Sequence, residues 1–175
     1  MLLKNIDFHT VSKKNNPFPT STELSNYMAS KETNDCVVRA IKHAFDVEYS
    51  DAHYFCETKL KRKRYQGTYT NMYLTAVKQA FNKKVKRLGK KNDWGRMVLT
   101  RPKNTRYWDP KTNKYKRRIE RVPFKLKEFI KAHPKGSYII TVRRHAFALV
   151  DGVVKGNWDD DKKENREIVA AYQVK

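Results

Sequence analysis

The chain has 175 residues, 39 of them Lys or Arg against 18 Asp or Glu, for a formal net charge of +21. That length suits one domain that buries its core without disulfide staples, and 39% hydrophobic residues with 12% aromatics supply the core. Two cysteines exclude a disulfide framework and a zinc-finger spacing, no apolar run approaches the roughly 20 residues of a membrane helix, and residues 1–9 contain no signal-peptide stretch.

Residues 1–20 read as irregular, with a turn-rich polar segment around Pro17 and Pro19. Thr22 can cap a short helix over residues 23–28. A clearer helix begins at Cys36, where Val37, Ile41, Ala44 and Phe45 recur at helical spacing and Asn34 or Asp35 can cap the start. A second helix starts near Ser50, carries Cys56 and runs into the basic residues 59–64. Gly67 breaks the chain, and Thr70 caps a third helix from Asn71 to about Phe81.

Residues 82–121 are the most basic stretch, opposed only by Asp93, Asp109 and Glu120, with Trp94, Tyr107, Trp108 and Tyr115 interleaved. Residues 109–113 read as a turn between strands over 101–108 and 114–122. Lys83, Lys84, Lys86, Arg87, Arg106, Lys116, Arg117 and Arg118 are the candidate polyanion contacts. Cations release counterions from phosphates, and aromatic faces stack on exposed bases. A solvated hairpin, or a patch that docks on an acidic protein, is the alternative use of the same residues.

The C-terminal third has a short helix over residues 123–133, stopped by Pro134-Lys135-Gly136. Strands follow over 137–143 and 145–150, and Asp151-Gly152 turns the chain back into 153–155. After the acidic turn Asp159-Asp160-Asp161, a last strand spans 167–174. Helices first and antiparallel strands later predict an α+β protein. The expected organisation is one domain over 1–175, with 82–122 a basic, aromatic-containing hairpin or insertion.

Chemistry converges on Cys36. A thiol in the first helical turn faces the positive end of the helix dipole and free backbone N–H groups. Such surroundings favour the reactive thiolate, and the same amides can stabilise an oxyanion. A nucleophile also needs a base. His43 lies on the same helix, seven residues on, too far along the axis for a direct hydrogen bond. His53 sits beside Cys56 with no third partner in view, His133 precedes Pro134 at a helix end, and His9 is in the irregular terminus. His145 opens an apolar strand, where a polar ring needs a reason.

A cysteine opening an N-terminal helix, a histidine opening a C-terminal strand and a hairpin leading to Asn157-Trp158 resemble the papain-like cysteine peptidases. The segment Asn34-Asp35-Cys36-Val37-Val38-Arg39-Ala40, with Lys135-Gly136-Ser137-Tyr138 and His145-Ala146-Phe147-Ala148-Leu149-Val150-Asp151-Gly152, is similar to small bacteriophage proteins of papain-like or peptidase C39-like type. The likeness covers about half of the chain and leaves out its basic middle. It implies a papain-like fold, with the nucleophile helix packed on a C-terminal antiparallel sheet. It also implies a phage-encoded hydrolase of peptide or isopeptide bonds, needing no metal or cofactor, in the host cytoplasm or the virion. Cys36 would be the nucleophile, His145 the general base and then acid, and Asn157 the group that orients the imidazole. Continuing the two-residue turn at Asp151-Gly152 pairs His145 with Trp158, so Asn157 needs a bulge near Gly156 to reach the ring. Asp159 is the alternative in another register, and Asp151 a lesser one. Papain-like enzymes place a Gln six residues before the nucleophile, where this chain has Ser30; Asn34 is then the candidate oxyanion donor, with helix capping as its other role. The alternative function is a catalytically silent virion or nucleic-acid-binding protein that keeps the fold and uses its charge. Partners are accordingly a peptide or protein substrate, and nucleic acid or an acidic virion protein at the basic segment.

Overall fold

The computed structural model describes residues 21–63, 65–68, 79–92, 97–157, 160 and 165–175. Three helices come first: α1 (Ser21–Lys31), α2 (Cys36–Phe45) and α3 (Tyr49–Thr58). Strands β1 (Gln79–Ala80), β2 (Lys83–Arg87), β3 (Lys90–Lys91), β4 (Met97–Val98), β5 (Thr100–Asp109) and β6 (Lys114–Pro123) follow. Helix α4 (Leu126–Ala132) then leads into β7 (Ser137–Val142), β8 (His145–Val150), β9 (Val153–Lys155) and β10 (Ala170–Val174). The described residues thus form an α+β fold.

A six-stranded antiparallel sheet runs in the order β1-β2-β10-β7-β8-β9. Side chains alternate across its faces, and both faces are covered. Ile139, Ala146, Ala148, Ala170, Tyr172 and Val174 pack with the residues of α1, α2 and α3. Tyr138, Ile140, Val142, Phe147, Leu149 and Ala171 face the other way, onto Leu126 and Phe129 of α4 and onto Leu99. Burial on both sides explains why β7 and β8 are nearly unbroken apolar runs rather than alternating ones. Helix α2 buries Val37, Val38, Ala40, Ile41, Ala44 and Phe45 and lies against β7 and β8.

Strands β5 and β6 pair only with each other, from Thr100↔Pro123 to Asp109↔Lys114. The Asp109 carboxylate closes their turn by accepting from the Lys111 N–H at 3.0 Å and the Thr112 hydroxyl at 2.9 Å. This matches the turn read at residues 109–113.

Two expectations differ. Residues 69–78, most of the expected third helix, lie outside the described residues, but its last turn is not helical. Gln79–Ala80 form β1, and Phe81 and Asn82 take positive φ of 52° and 59° in the turn to β2. Strand β2 was hidden by composition, because four of its five residues are Lys or Arg. It nonetheless alternates, with Lys83, Val85 and Arg87 half-buried between exposed Lys84 and Lys86. The early irregular segment, residues 1–20, is outside the described residues.

Candidate active site

Cys36 is the first residue of α2, and it is partly buried. Asp35 takes the N-cap position without a capping hydrogen bond. Its buried carboxylate instead accepts from Arg39 Nε at 2.9 Å and from the Tyr49 hydroxyl at 2.7 Å. Burial and this bond push the Tyr49 phenol up. The two contacts fix the loop before α2 and so the place of Cys36, while the cap side chain leaves the first-turn N–H groups without an acceptor of its own. Asn34 does not cap either. It has φ 55° and donates its amide to the Tyr65 carbonyl at 3.1 Å, so the expected oxyanion donor is engaged elsewhere. Ser30 donates to the Tyr27 carbonyl.

His145 opens β8 directly after a two-residue turn, with Val142 as its pair and Arg144 at φ 60°. Its ring shares the side of Phe147, with centroids 6.1 Å apart. At the end of the strand the imidazole meets two groups. Its Nε2 lies 2.7 Å from Asp160 Oδ1, and the Cys36 thiol is near enough to the same ring to help raise its pKa. The bond to Asp160 first, and the nearby Cys36 thiol second, push His145 from 6.5 up to about 9, against the opposing effect of burial. The imidazole therefore carries a proton at neutral pH.

Asp160 is fully buried and is held from three sides. Beyond His145, Oδ2 accepts from the Asn157 N–H at 2.7 Å, and Arg166 Nη1 lies 3.4 Å from Oδ1. The Asp160 N–H returns a bond to the Asn157 carbonyl at 3.1 Å. Residue 156 has to be glycine for this. A Cβ there would lie 2.4 Å from Asp160 Oδ2 and 2.9 Å from Phe147 Cβ.

The group on the imidazole is thus Asp160, where the sequence reading put Asn157. The reason is register. β9 keeps the two-residue turn, with Val150↔Val153 and Ala148↔Lys155, so Asn157 cannot reach the ring from the ladder. The chain bends at Gly156 and Asn157, and Asp160, four residues after Gly156, is the residue that meets the ring. Asn157 contributes its backbone N–H, which orients the carboxylate. Asp159, the other expectation, lies outside the described residues. Asp151 closes the β8–β9 turn and binds the Gly136 N–H at 2.8 Å. A run of three aspartates in so basic a chain was the available signal for Asp160. Its distance from the ladder hid which of them arrives.

Other histidines have other surroundings. His53 is buried against Glu32, at 3.2 Å, and Arg62 Nη1, at 3.2 Å, and Arg62 also donates to Glu32 at 2.8 Å. Burial alone would push the Glu32 carboxyl up, but the bonds from Arg62 and His53 hold it below the usual range. This cluster ties the loop after α1 to α3. Cys56 is fully buried, and burial pushes its thiol up to about 12.

Of the polyanion candidates, Lys83 donates to the Phe45 carbonyl at 2.8 Å, and Arg87 donates to the Met97 carbonyl at 3.1 Å while lying over Tyr172. Lys116 pairs with Asp109, and Arg118 pairs with Glu120. Lys84, Lys86, Arg106 and Arg117 are exposed, the first two on β2 and the others on the hairpin. Four of the eight are thus engaged within the chain, and four are exposed.

Among the described residues, no group of three or more His, Cys, Asp and Glu side chains could hold a metal ion. None of the described helices is long and apolar enough to cross a membrane. Compared with family models, curated proteins and solved structures, the chain finds no match in any of the three. Function is therefore argued from the site itself.

Proposed function

We propose that the protein is a papain-like cysteine peptidase, a thiol hydrolase of peptide or isopeptide bonds acting through Cys36, His145 and Asp160. One observation carries this reading: a single imidazole, on the strand against which the Cys36 helix packs, that is hydrogen-bonded to a buried carboxylate and is raised also by the thiol at the start of that helix.

In the proposed reaction the proton already rests on His145, and Cys36 attacks as the thiolate beside that imidazolium, its Sγ bonding to the substrate carbonyl carbon. The carbonyl oxygen becomes an oxyanion, for which the Cys36 N–H at the start of α2 is the nearest candidate donor. The His145 proton then moves to the leaving amine, the C–N bond breaks, and an acyl-thioester remains on Cys36. Water gives a proton to His145 as it attacks the thioester, and collapse breaks the C–S bond, releases the acid and restores the thiolate beside the imidazolium. Asp160 accepts from Nε2 throughout and stabilises the imidazolium. The similarity to phage proteins supports a substrate in the host cytoplasm or the virion.

The test is cleavage of a diverse peptide mixture followed by mass spectrometry. Wild-type protein yields new termini, and Cys36→Ser and His145→Ala yield none. Identical cleavage by wild type and Cys36→Ser would refute the proposal.

A further inference from the structure

The β5–β6 hairpin is a ribbon of two ten-residue strands, about 34 Å long, and its carboxylates all lie on one of its two faces. Residues directly opposite across an antiparallel pair share a face. On one face lie Arg101, Lys103, Thr105, Tyr107 and Asp109 with Val122, Glu120, Arg118, Lys116 and Lys114. Every ion pair described for the hairpin is on this face: Arg101 with Glu128 of α4, Lys116 with Asp109, and Arg118 with Glu120. Arg118 also lies over the Tyr107 ring, 5.1 Å from its centroid. Three of the five cations on that face are thus ion-paired.

The other face holds Pro102, Asn104, Arg106 and Trp108 with Arg121, Ile119, Arg117 and Tyr115. It contains no carboxylate, and all of these residues are exposed. Arg121 donates to the Thr100 hydroxyl near the base of the ribbon. Arg106 and Arg117 stand opposite each other and have no ion pair among the described residues. One step further out, about 7 Å along the strands, Trp108 and Tyr115 form the next pair. They meet edge to face at 5.1 Å and are 47% and 71% exposed. A tryptophan and a tyrosine held in water beside two guanidiniums with no ion pair among the described residues cost solvation without contributing to the core, so they point to a ligand with both anionic and flat aromatic parts.

We infer that this carboxylate-free face of the hairpin binds single-stranded nucleic acid, with Arg106 and Arg117 on the phosphates and Trp108 and Tyr115 stacking on unpaired bases. Guanidiniums bind phosphate oxygens in pairs, and stacking on an aromatic ring is available to any base once it is unpaired. A duplex would offer the ribbon its phosphates and groove edges but not its stacked base faces. An acidic protein surface would satisfy the arginines and leave the two rings without a role. The inference is independent of the peptidase reading, because no residue of Cys36, His145 or Asp160 enters it.

The test uses the full chain carrying Cys36→Ser and a fluorescein-labelled oligothymidylate, followed by anisotropy over a salt series. Trp108→Ala and Tyr115→Ala should each weaken binding about 10-fold or more. Trp108→Phe, which keeps a stacking face, should stay within about 3-fold of the parent. Arg106→Ala with Arg117→Ala should reduce the slope of log affinity against log salt by about 1.4. Lys103→Ala with Lys114→Ala, on the opposite face, removes as many charges and should leave the dependence on the two rings intact. The inference is overturned if the two ring variants bind like the parent. It is also overturned if a duplex is held as tightly as the single strand, or if polyglutamate displaces the oligonucleotide as well as unlabelled oligonucleotide does, which would identify an acidic polypeptide instead.

Discussion

Replacing Asp160 by Asn keeps the shape of the side chain and removes the charge that holds His145 protonated. In the native site the imidazole is raised from 6.5 to about 9, a preference worth about 3 kcal/mol for the charged ring. Asp160 is the first cause and Cys36 the second, so the larger share disappears with the carboxylate, and burial then acts downward. The ring should titrate close to 6.5 in Asp160→Asn. At pH 7.5 that takes it from about 97% protonated to about 10%. The assay is an NMR titration of ¹³C-labelled histidine, with His145→Ala to assign the resonance among the five histidines. The proposed reaction needs the imidazolium to protonate the leaving amine, so the alkaline limb of peptide cleavage should move down with the NMR value. A native His145 that titrates near 6.5, or an Asp160→Asn ring that still titrates near 9, would refute this account of the site.

Gly156→Ala should reproduce much of that shift in the same titration, because the new Cβ would sit 2.4 Å from Asp160 Oδ2 and Phe147 in the core cannot give way; an unchanged His145 value would show that the close approach is unimportant. Thermodynamic linkage gives a second expectation. His145 is raised in the folded state, so its contribution to stability is complete below 6.5 and is lost as pH rises through about 9. Urea unfolding should show the native protein losing up to about 3 kcal/mol relative to His145→Ala across that window, and parallel pH curves for the two would contradict it. Arg62→Met leaves Glu32 buried with its main counter-charge gone and should cost about 3–5 kcal/mol by the same measurement; a loss under about 1 kcal/mol would mean that the cluster is dispensable.

Much of this fold was legible because its elements announce themselves locally. The helix starting at Cys36 has its apolar residues at helical spacing, and it begins and ends where the pattern does. The Asp151-Gly152 turn fixed the register of β8 and β9, and the 109–113 turn fixed that of β5 and β6. β2 was not legible, because a strand beside β10 that keeps Lys83 and Arg87 half-buried by giving their charges to backbone carbonyls looks, in sequence, like a charged surface loop. In the site, the thiol at a helix start and the histidine at a strand start could be named from position alone. The third group could not. Strand periodicity speaks for residues on the ladder, and Asp160 reaches His145 from beyond it. Nor did the sequence disclose that Glu32, His53 and Arg62, spread over thirty positions, meet in one buried cluster. Only the packing of α3 against the loop after α1 brings them together.

The central claim is that Cys36 is a nucleophile served by His145, and acyl transfer measures this directly. The protein is mixed at neutral pH with an activated thioester, and the acylated residue is found by mass spectrometry of the intact chain and its peptides. The account predicts one acyl group on Cys36, turned over by water, absent from Cys36→Ser and slowed at least about 100-fold in His145→Ala. Acylation spread over lysines and Cys56, or a Cys36 that reacts equally fast without His145, would contradict it.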